Sequence, residues 1–340
     1  MRTKLKLFIV LIFISITNCY ATQSYLLVAG NSNPELAQAV AKELKINLSK
    51  ATIDRFNDGE LNIQLHENVR NKHVYIIQST AKSSNASIND NLIELYLMAR
   101  TLKRASAKEI TAIIPYYGYA RQDRKTSPRV PISASDVAML IEGSGIDRVV
   151  TVDLHAGQIQ GFFHTIPVDN LYASVITVDY FKKKRLDNIV IVSPDAGGVE
   201  RAKKFKQALE NAGVQSEFAI IIKQRAKAGE IKEANLIGDV KGKNAIIIDD
   251  ICDTGGTLAK AAEELKKFGA NKVYANITHP VFSKNAIDVL DKSAFEEVLV
   301  TDTISYHGTS SKIKQISVAP LLAKVITRIN NGDSVSTLFN

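Results

Sequence analysis

Two similar α/β domains, each a mostly parallel sheet flanked by helices, are the fold this sequence predicts. Three features predict it. Short apolar, β-branched runs alternate along the chain with segments whose apolar positions recur at helical spacing. Ile246 to Ile248, with Ala245 before them, read as a strand buried on both faces, as strands of parallel sheets are. Two strand-to-helix loops, SPDAGG from Ser193 and DDICDTGGT from Asp249, each hold an acid and a double glycine, which suggests one kind of unit built twice.

The elements follow in order. Tyr25 to Ala29 is a short apolar strand, and Pro34 opens a helix reaching about Leu44, proline being suited to the first helical position. Thr52 to Phe56 and Leu61 to Leu65 flank an Asp58-Gly59 turn and read as a β-hairpin. A strand His73 to Gln78, a helix Asn91 to Ala105 and a strand Ile110 to Pro115 come next. Tyr116 to Pro131 is a long polar loop, of the kind that is functional or mobile in compact domains. Ser133 to Glu142 is helical, and the strand Arg148 to Val152 runs into Asp153-Leu154-His155. The second half repeats this grammar with a strand Ile189 to Val192, a helix Val199 to Asn211 and a strand Phe218 to Ile222. Lys223 to Leu236 reads as a charged loop with few apolar anchors.

After the Ile246 strand, the helix from Leu258 to Phe268 is closed by Gly269, and a strand Lys272 to Thr278 follows. A helix near Ser283 to Leu290, strands near Glu297 to Val300 and Ile313 to Ser317, and a helix Leu321 to Ile329 end the chain. The expected division is an extension at 1–21, domains at 24–170 and 171–312, and a strand and helix in 313–340 that pack back on the first domain.

Composition excludes several classes. The 340 residues are 45% hydrophobic and 23% charged, ordinary globular material without a low-complexity tract. The net charge of +8 fits either a lysine-rich surface or a basic site for phosphorylated ligands. No arginine-rich stripe with interleaved aromatics points to nucleic acid. Arg2, Lys4 and Lys6 precede an apolar run, Leu7 to Ile16, and Cys19-Tyr20-Ala21 could be cleaved. That is the layout of a signal peptide, and the run is too short for a stable membrane span. Export or tethering therefore stays open beside a cytoplasmic location. With that extension gone only Cys252 would remain, so no internal disulfide could form.

The loops carry the chemistry. In Asp249 to Thr257 the glycines let N–H groups converge on an anion, and the first helical turn adds roughly half a positive charge. The hydroxyls of Thr254 and Thr257 add donors. Adjacent acids, Asp249 and Asp250, beside a phosphate cradle suit the vicinal hydroxyls of a ribose, with or without a divalent metal. An ordinary βα turn with capping acids is the plainer alternative. Neither a Walker A string nor GxGxxG occurs.

Taken together, RFNDGE, IPYYGYARQDRK, TVDLHAGQIQGFF, IPVDNLYAS, VSPDAGG, IGDVKG and IIIDDICDTGGT resemble ribose-phosphate pyrophosphokinase (PRPP synthetase), a family with the type I phosphoribosyltransferase fold. The resemblance runs from about Tyr25 to Asn340. It implies transfer of the β,γ-diphosphoryl group of ATP to the C1 hydroxyl of ribose 5-phosphate, giving PRPP and AMP. Asp249, Asp250, Asp253, Thr254, Gly255, Gly256 and Thr257 would then hold ribose 5-phosphate. Asp195, Ala196, Gly197 and Gly198 would face the pyrophosphate. By resemblance His155 and Asp195 are ligands of Mg²⁺, and Arg121 and Gln122 contact ATP. The hairpin tip, Phe56, Asp58, Gly59 and Glu60, would reach the adenine in a neighbouring subunit, which makes the protein a homo-oligomer, a hexamer by family habit. Lys223 and Arg225 would be the catalytic cations.

Gln224 and Ala226 depart from the arginine and proline common there, and Ala81 to Ile88 is a longer insertion than the family pattern has. A catalytically silent regulatory paralogue and a phosphoribosyltransferase are the rival readings.

Overall fold

The computed structural model describes residues 25–227 and 230–339, with the side chains of 223–234 outside the described set. The signal-like extension at 1–21 therefore lies outside it too. The first unit contains β1 (Tyr25–Ala29), α1 (Pro34–Leu44), β2 (Ala51–Arg55), β3 (Leu61–Leu65), β4 (His73–Ile77) and α2 (Ile88–Arg104). It continues through β5 (Glu109–Ile114), α3 (Ser133–Gly143), β6 (Arg148–Val152) and β7 (Val168–Leu171). Its sheet runs β1-β4-β5-β6-β7, with all pairs parallel, and β2 and β3 form a separate antiparallel ribbon.

Local chemistry sets the helices. Asn33 accepts from the Leu36 N–H and caps α1, while Ser87 and Asp90 form a reciprocal capping box that starts α2 ahead of the expected Asn91. Successive residues of β1 serve opposite faces. Leu26 and Val28 pack with Leu95, Met98 and Ile141, whereas Leu27 packs with Leu36, Val40 and Ile326. Burial on both faces is why these strands read as unbroken apolar runs.

The second unit holds α4 (Ser174–Lys184), β8 (Ile189–Ser193), α5 (Val199–Asn211), β9 (Ser216–Lys227), β10 (Glu230–Ile237), β11 (Asn244–Cys252) and α6 (Gly256–Lys267). It ends with β12 (Val273–Pro280), α7 (Ala286–Asp291), β13 (Glu297–Thr301), β14 (Ile313–Ile316) and α8 (Ala319–Asn331). The strand order is β10-β9-β8-β11-β12-β13-β14. Phe181, Phe205 and Leu209 cover one face, and Leu258, Ala262, Leu265 and Leu290 the other. The chain leaves β8 towards β9 on one side and resumes at β11 towards β12 on the other. Between β8 and β11 the order reverses, which opens a crevice at the carboxyl ends of the strands.

Two expectations need correction. Lys223 to Leu236 is not a loop, because β9 and β10 pair antiparallel through it, with Lys223 opposite Ala234 and Arg225 opposite Ile231. Backbone bonds hold such a ribbon without apolar anchors. The C-terminal strand also does not join the first domain. Parallel pairing on β13 satisfies the edge of the second sheet, and only α8 crosses over, placing Leu322, Val325 and Ile326 against the α1 layer. Among the described residues no helix is long and apolar enough to cross a membrane.

His279, at the end of β12, is 2% exposed, and burial lowers its pKa. A depressed histidine pKa makes the unfolded chain bind the proton first. Stability is therefore full above the ordinary value near 6.5 and is lost as pH falls below it. Thermal unfolding scans between pH 7 and 5 should show a slope of up to about 1.4 kcal/mol per pH unit that His279→Gln flattens. Equal slopes in both proteins would assign the acid sensitivity elsewhere.

Candidate active site

β11 carries Asp249 and Asp250 into the crevice beside β8. The strand is longer than its apolar run suggests, since Ile251 and Cys252 still pair with His279 and Pro280 of β12. Beyond it Gly255 sits at φ 75°, and a Cβ there would lie 3.2 Å from the Ala286 carbonyl oxygen and 3.3 Å from Leu290 Cγ. Glycine is required by both the backbone and the space. No side chain caps α6, so its first-turn N–H groups, with Thr254 and Thr257 beside them, face outward as an anion cradle. The second glycine loop is built alike. Ser193 Oγ donates to the Asp195 carbonyl (2.7 Å), the Gly198 N–H donates to Asp195 Oδ1 (3.1 Å), and α5 starts without a side-chain cap.

His155, from the turn after β6 of the first unit, donates through Nδ1 to Asp250 Oδ2 at 2.7 Å. Arg201, in the first turn of α5, lies 3.1 Å from Asp250 Oδ1 and 3.4 Å from Asp249 Oδ1, and its Nη2 donates to the His155 carbonyl at 3.2 Å. Thus one histidine, one arginine and two aspartates from three elements share a centre. Asp250 is 3% exposed at its side chain. Burial would raise its pKa, but the His155 bond and the Arg201 charge outweigh burial and hold it well below the usual carboxylate range. Burial, reinforced by the Asp250 charge, pushes Asp249 up. The bond to Asp250 outweighs burial at His155 and raises its pKa.

A second cross-unit contact lies alongside. Arg121 Nη1 donates to Asp253 Oδ2 at 2.7 Å, and Asp253 also accepts from Ser283 Oγ. An expected ATP residue thereby touches an expected sugar-phosphate residue. Gln122 enters through its backbone, accepting from the Ala134 N–H at 3.2 Å, and the neighbouring Asp123 accepts from Gln158 at 2.7 Å.

The hairpin tip stands apart. Phe56 is 55% exposed, its N–H donates to the Glu60 carbonyl, and the Glu60 N–H donates to Asp58 Oδ1 at 3.1 Å. Among the described residues no hydrogen bond or ion pair ties Phe56, Asp58, Gly59 or Glu60 to the acid pair. The side chains of Lys223 and Arg225 lie outside the described residues. Arg201 was not anticipated, although a cation in the first turn after a double-glycine phosphate loop was the available signal. A cavity of about 400 Å³, lined by residues including Asn31, Arg55, Ser84, Glu94 and His307, shares no residue with this centre.

Among the described residues no three His, Cys, Asp or Glu side chains converge as a cation site. His155 keeps Nε2 free of any described bond and Asp195 keeps Oδ2. That set fits Mg²⁺, which takes one or two protein ligands and completes its shell with phosphate and water.

Paired parallel sheets, an acid pair at a strand-order reversal and two glycine anion loops define a sugar-phosphate enzyme of the type I phosphoribosyltransferase fold. Known proteins narrow this. Residues 25–145 match the N-terminal domain of ribose phosphate pyrophosphokinase, and 210–340 match the phosphoribosyl synthetase-associated domain. The chain is 52% identical over 323 residues to a ribose-phosphate pyrophosphokinase of Ralstonia nicotianae, covering 94% of this chain and 99% of that one. It is 52% identical over 317 residues to that of Wolinella succinogenes, covering 93% and 99%. The crystal structure of phosphoribosylpyrophosphate synthetase from Mycobacterium smegmatis superposes with a TM-score of 0.84 at 40% identity, covering 91% of this chain and all of that one. The chain belongs to the ribose-phosphate pyrophosphokinase family.

Proposed function

We propose that the protein transfers the β,γ-diphosphoryl group of ATP to the C1 hydroxyl of ribose 5-phosphate, releasing AMP and forming PRPP. The observation that carries this reading is the meeting of the two units. The sugar-phosphate loop of the second unit is tied to His155 and Arg121 of the first, so a donor and an acceptor substrate can share one crevice.

In this reading the N–H groups from Thr254 to Thr257 hold the 5-phosphate, while Asp249 and Asp250 accept from the ribose hydroxyls. Arg121 and Gln122 hold the ATP polyphosphate, and the loop Asp195 to Gly198 meets the pyrophosphate. Binding frees Arg121 from Asp253 and exchanges a carboxylate for a phosphate oxygen. His155 and Asp195 would hold Mg²⁺, which neutralises phosphate charge when bound. Lys223 and Arg225 stabilise the negative charge that develops on the transferring phosphoryl group. The exposed Phe56 supplies a stacking face for adenine in a second copy, so the working enzyme is a homo-oligomer. ATP and ribose 5-phosphate are intracellular metabolites, which favours a cytoplasmic enzyme over an exported or tethered one, and sequencing of the mature N-terminus tests whether residues 1–21 are retained.

The test is AMP release from ATP and Mg²⁺, with and without ribose 5-phosphate. AMP that forms only with the sugar phosphate is the expected result. No AMP would favour a silent paralogue, and nucleotide made from PRPP and a nucleobase would favour a phosphoribosyltransferase.

A further inference from the structure

The His155–Asp250 contact joins residues from different units, so something must fix how the units meet. Asp153, two positions before His155, is placed to do so. It is 8% exposed and adopts φ 41°, a left-handed conformation that aspartate tolerates better than most residues. Within its own unit the Asp153 N–H donates to the Leu171 carbonyl at 2.8 Å. Its Oδ2 accepts from the Ala173 N–H at 3.1 Å, at the link into α4. From β12 of the other unit, Thr278 Oγ1 donates to the same Oδ2 at 2.7 Å, and His279 Nε2 donates to the Asp153 carbonyl at 3.1 Å.

The far side of this seam is equally committed. His279 Nδ1 lies 2.9 Å from Thr303 Oγ1. Buried and neutral, the imidazole gives its single proton to Asp153 through Nε2 and takes the Thr303 hydroxyl proton at Nδ1. Thr301 Oγ1 then satisfies the Thr278 carbonyl at 2.7 Å. The Tyr116 ring meets the His279 ring edge-on at 5.0 Å, and Ser79 Oγ of the first unit donates to the Thr303 carbonyl at 2.6 Å. Every polar atom named here has a partner, and three of the bonds, Thr278 to Asp153, His279 to Asp153 and Ser79 to Thr303, cross between the units. Such a network has one good register, because a slip of either unit strands a buried donor or acceptor.

We propose that Asp153 is a positioning residue. Clamped by Thr278 and His279 of the second unit, it sets the angle between units at which the following His155 reaches Asp250, and so aligns the nucleotide side of the crevice with the sugar side. The inference rests on the proposed diphosphoryl transfer. It makes a specific demand on kinetics, since every residue of the sugar-phosphate loop and its anion cradle comes from the second unit, whereas the nucleotide side comes from the first. Loosening the seam should lower turnover and leave sugar-phosphate affinity alone.

The experiment compares wild type with Thr278→Val, Asp153→Asn and Asp153→Ala. It measures AMP release, ribose 5-phosphate affinity by calorimetry without ATP, and thermal unfolding. Thr278→Val keeps shape and deletes one cross-unit donor. It should lower kcat about tenfold with the sugar-phosphate Kd changed less than twofold, because small misplacements weigh heavily on turnover. Asp153→Asn retains an acceptor for Thr278 and should restore most of the kcat that Asp153→Ala loses. Unchanged kcat in Thr278→Val, or kcat and affinity falling together with the melting temperature, would overturn the proposal. If wild type releases no AMP the functional reading fails instead, so the two failures are separable. Should Asp153→Ala not fold, Thr278→Val and Asp153→Asn still decide.

Discussion

Asp250→Asn is expected to weaken ribose 5-phosphate binding by about 100-fold, roughly 2.7 kcal/mol, with the fold retained. Asp250 is the most committed side chain of the centre, since Oδ2 receives His155 Nδ1 and Oδ1 receives Arg201. An asparagine offers one acceptor and one donor group in the same volume. Whichever way it turns, its NH₂ faces either the His155 Nδ1–H or the guanidinium, and a buried donor is left against a donor. Asp249 limits the damage. The Asp250 charge helps to push its pKa up, so removing that charge lets Asp249 ionise more readily and take over part of the countercharge. For that reason the loss is set at two orders of magnitude and not more. Calorimetry with ribose 5-phosphate and Mg²⁺ at neutral pH measures it. A Kd within threefold of wild type would show that the acid pair does not hold the sugar.

What could be read in the chain is what short stretches spell by themselves. The Ile246 strand, the Gly255-Gly256 turn and the Asp58-Gly59 hairpin each follow from a few neighbouring residues whose conformational needs are strong. β7 carries no strand signal of its own, because Val168-Asp169-Asn170-Leu171 holds a single β-branched residue and two turn-favouring ones, and its strand state comes from pairing with β6. The β9–β10 ribbon reads as a loop because charge and scarce apolar residues look the same in a solvated ribbon. At the centre the difficulty is distance along the chain. His155 and Asp250 stand 95 residues apart, and Arg201 meets both acids from a third element. Residue type marked His155 and the acid pair as chemically competent, but no local pattern encodes that they touch. Arg201 carried still less signal, being one cation in the helix VERAKKFKQALEN among several. The seam around Asp153 and His279 was invisible for the same reason, since its donors and acceptors are ordinary threonines and carbonyls until two sheets bring them together.

Lys223→Ala is expected to have the largest kinetic effect of any single change, lowering kcat by about 10³-fold or more while ribose 5-phosphate affinity stays within about twofold. The two effects separate for a physical reason. Diphosphoryl transfer needs no covalent enzyme intermediate, so the protein accelerates it by alignment and by placing positive charge where negative charge grows. A cation that meets the phosphoryl oxygens only at that stage contributes to the barrier and not to ground-state binding. Lys223 stands on β9 just beyond Ile221, which is buried in the core of the second unit, so the ribbon projects from a rigid sheet that also carries the acid pair. Arg225 lies two positions further along the same strand, and Gln224 separates the two cations. Lys223→Arg keeps the charge but exchanges a compact ammonium for a planar fork, and should recover only part of the loss. Steady-state AMP release gives kcat, and calorimetry without ATP gives the sugar-phosphate Kd. Near-wild-type turnover in Lys223→Ala would remove the cation from the chemistry. A matching loss of sugar-phosphate affinity would instead make it a binding residue and shift the catalytic burden to Arg225 and Arg121.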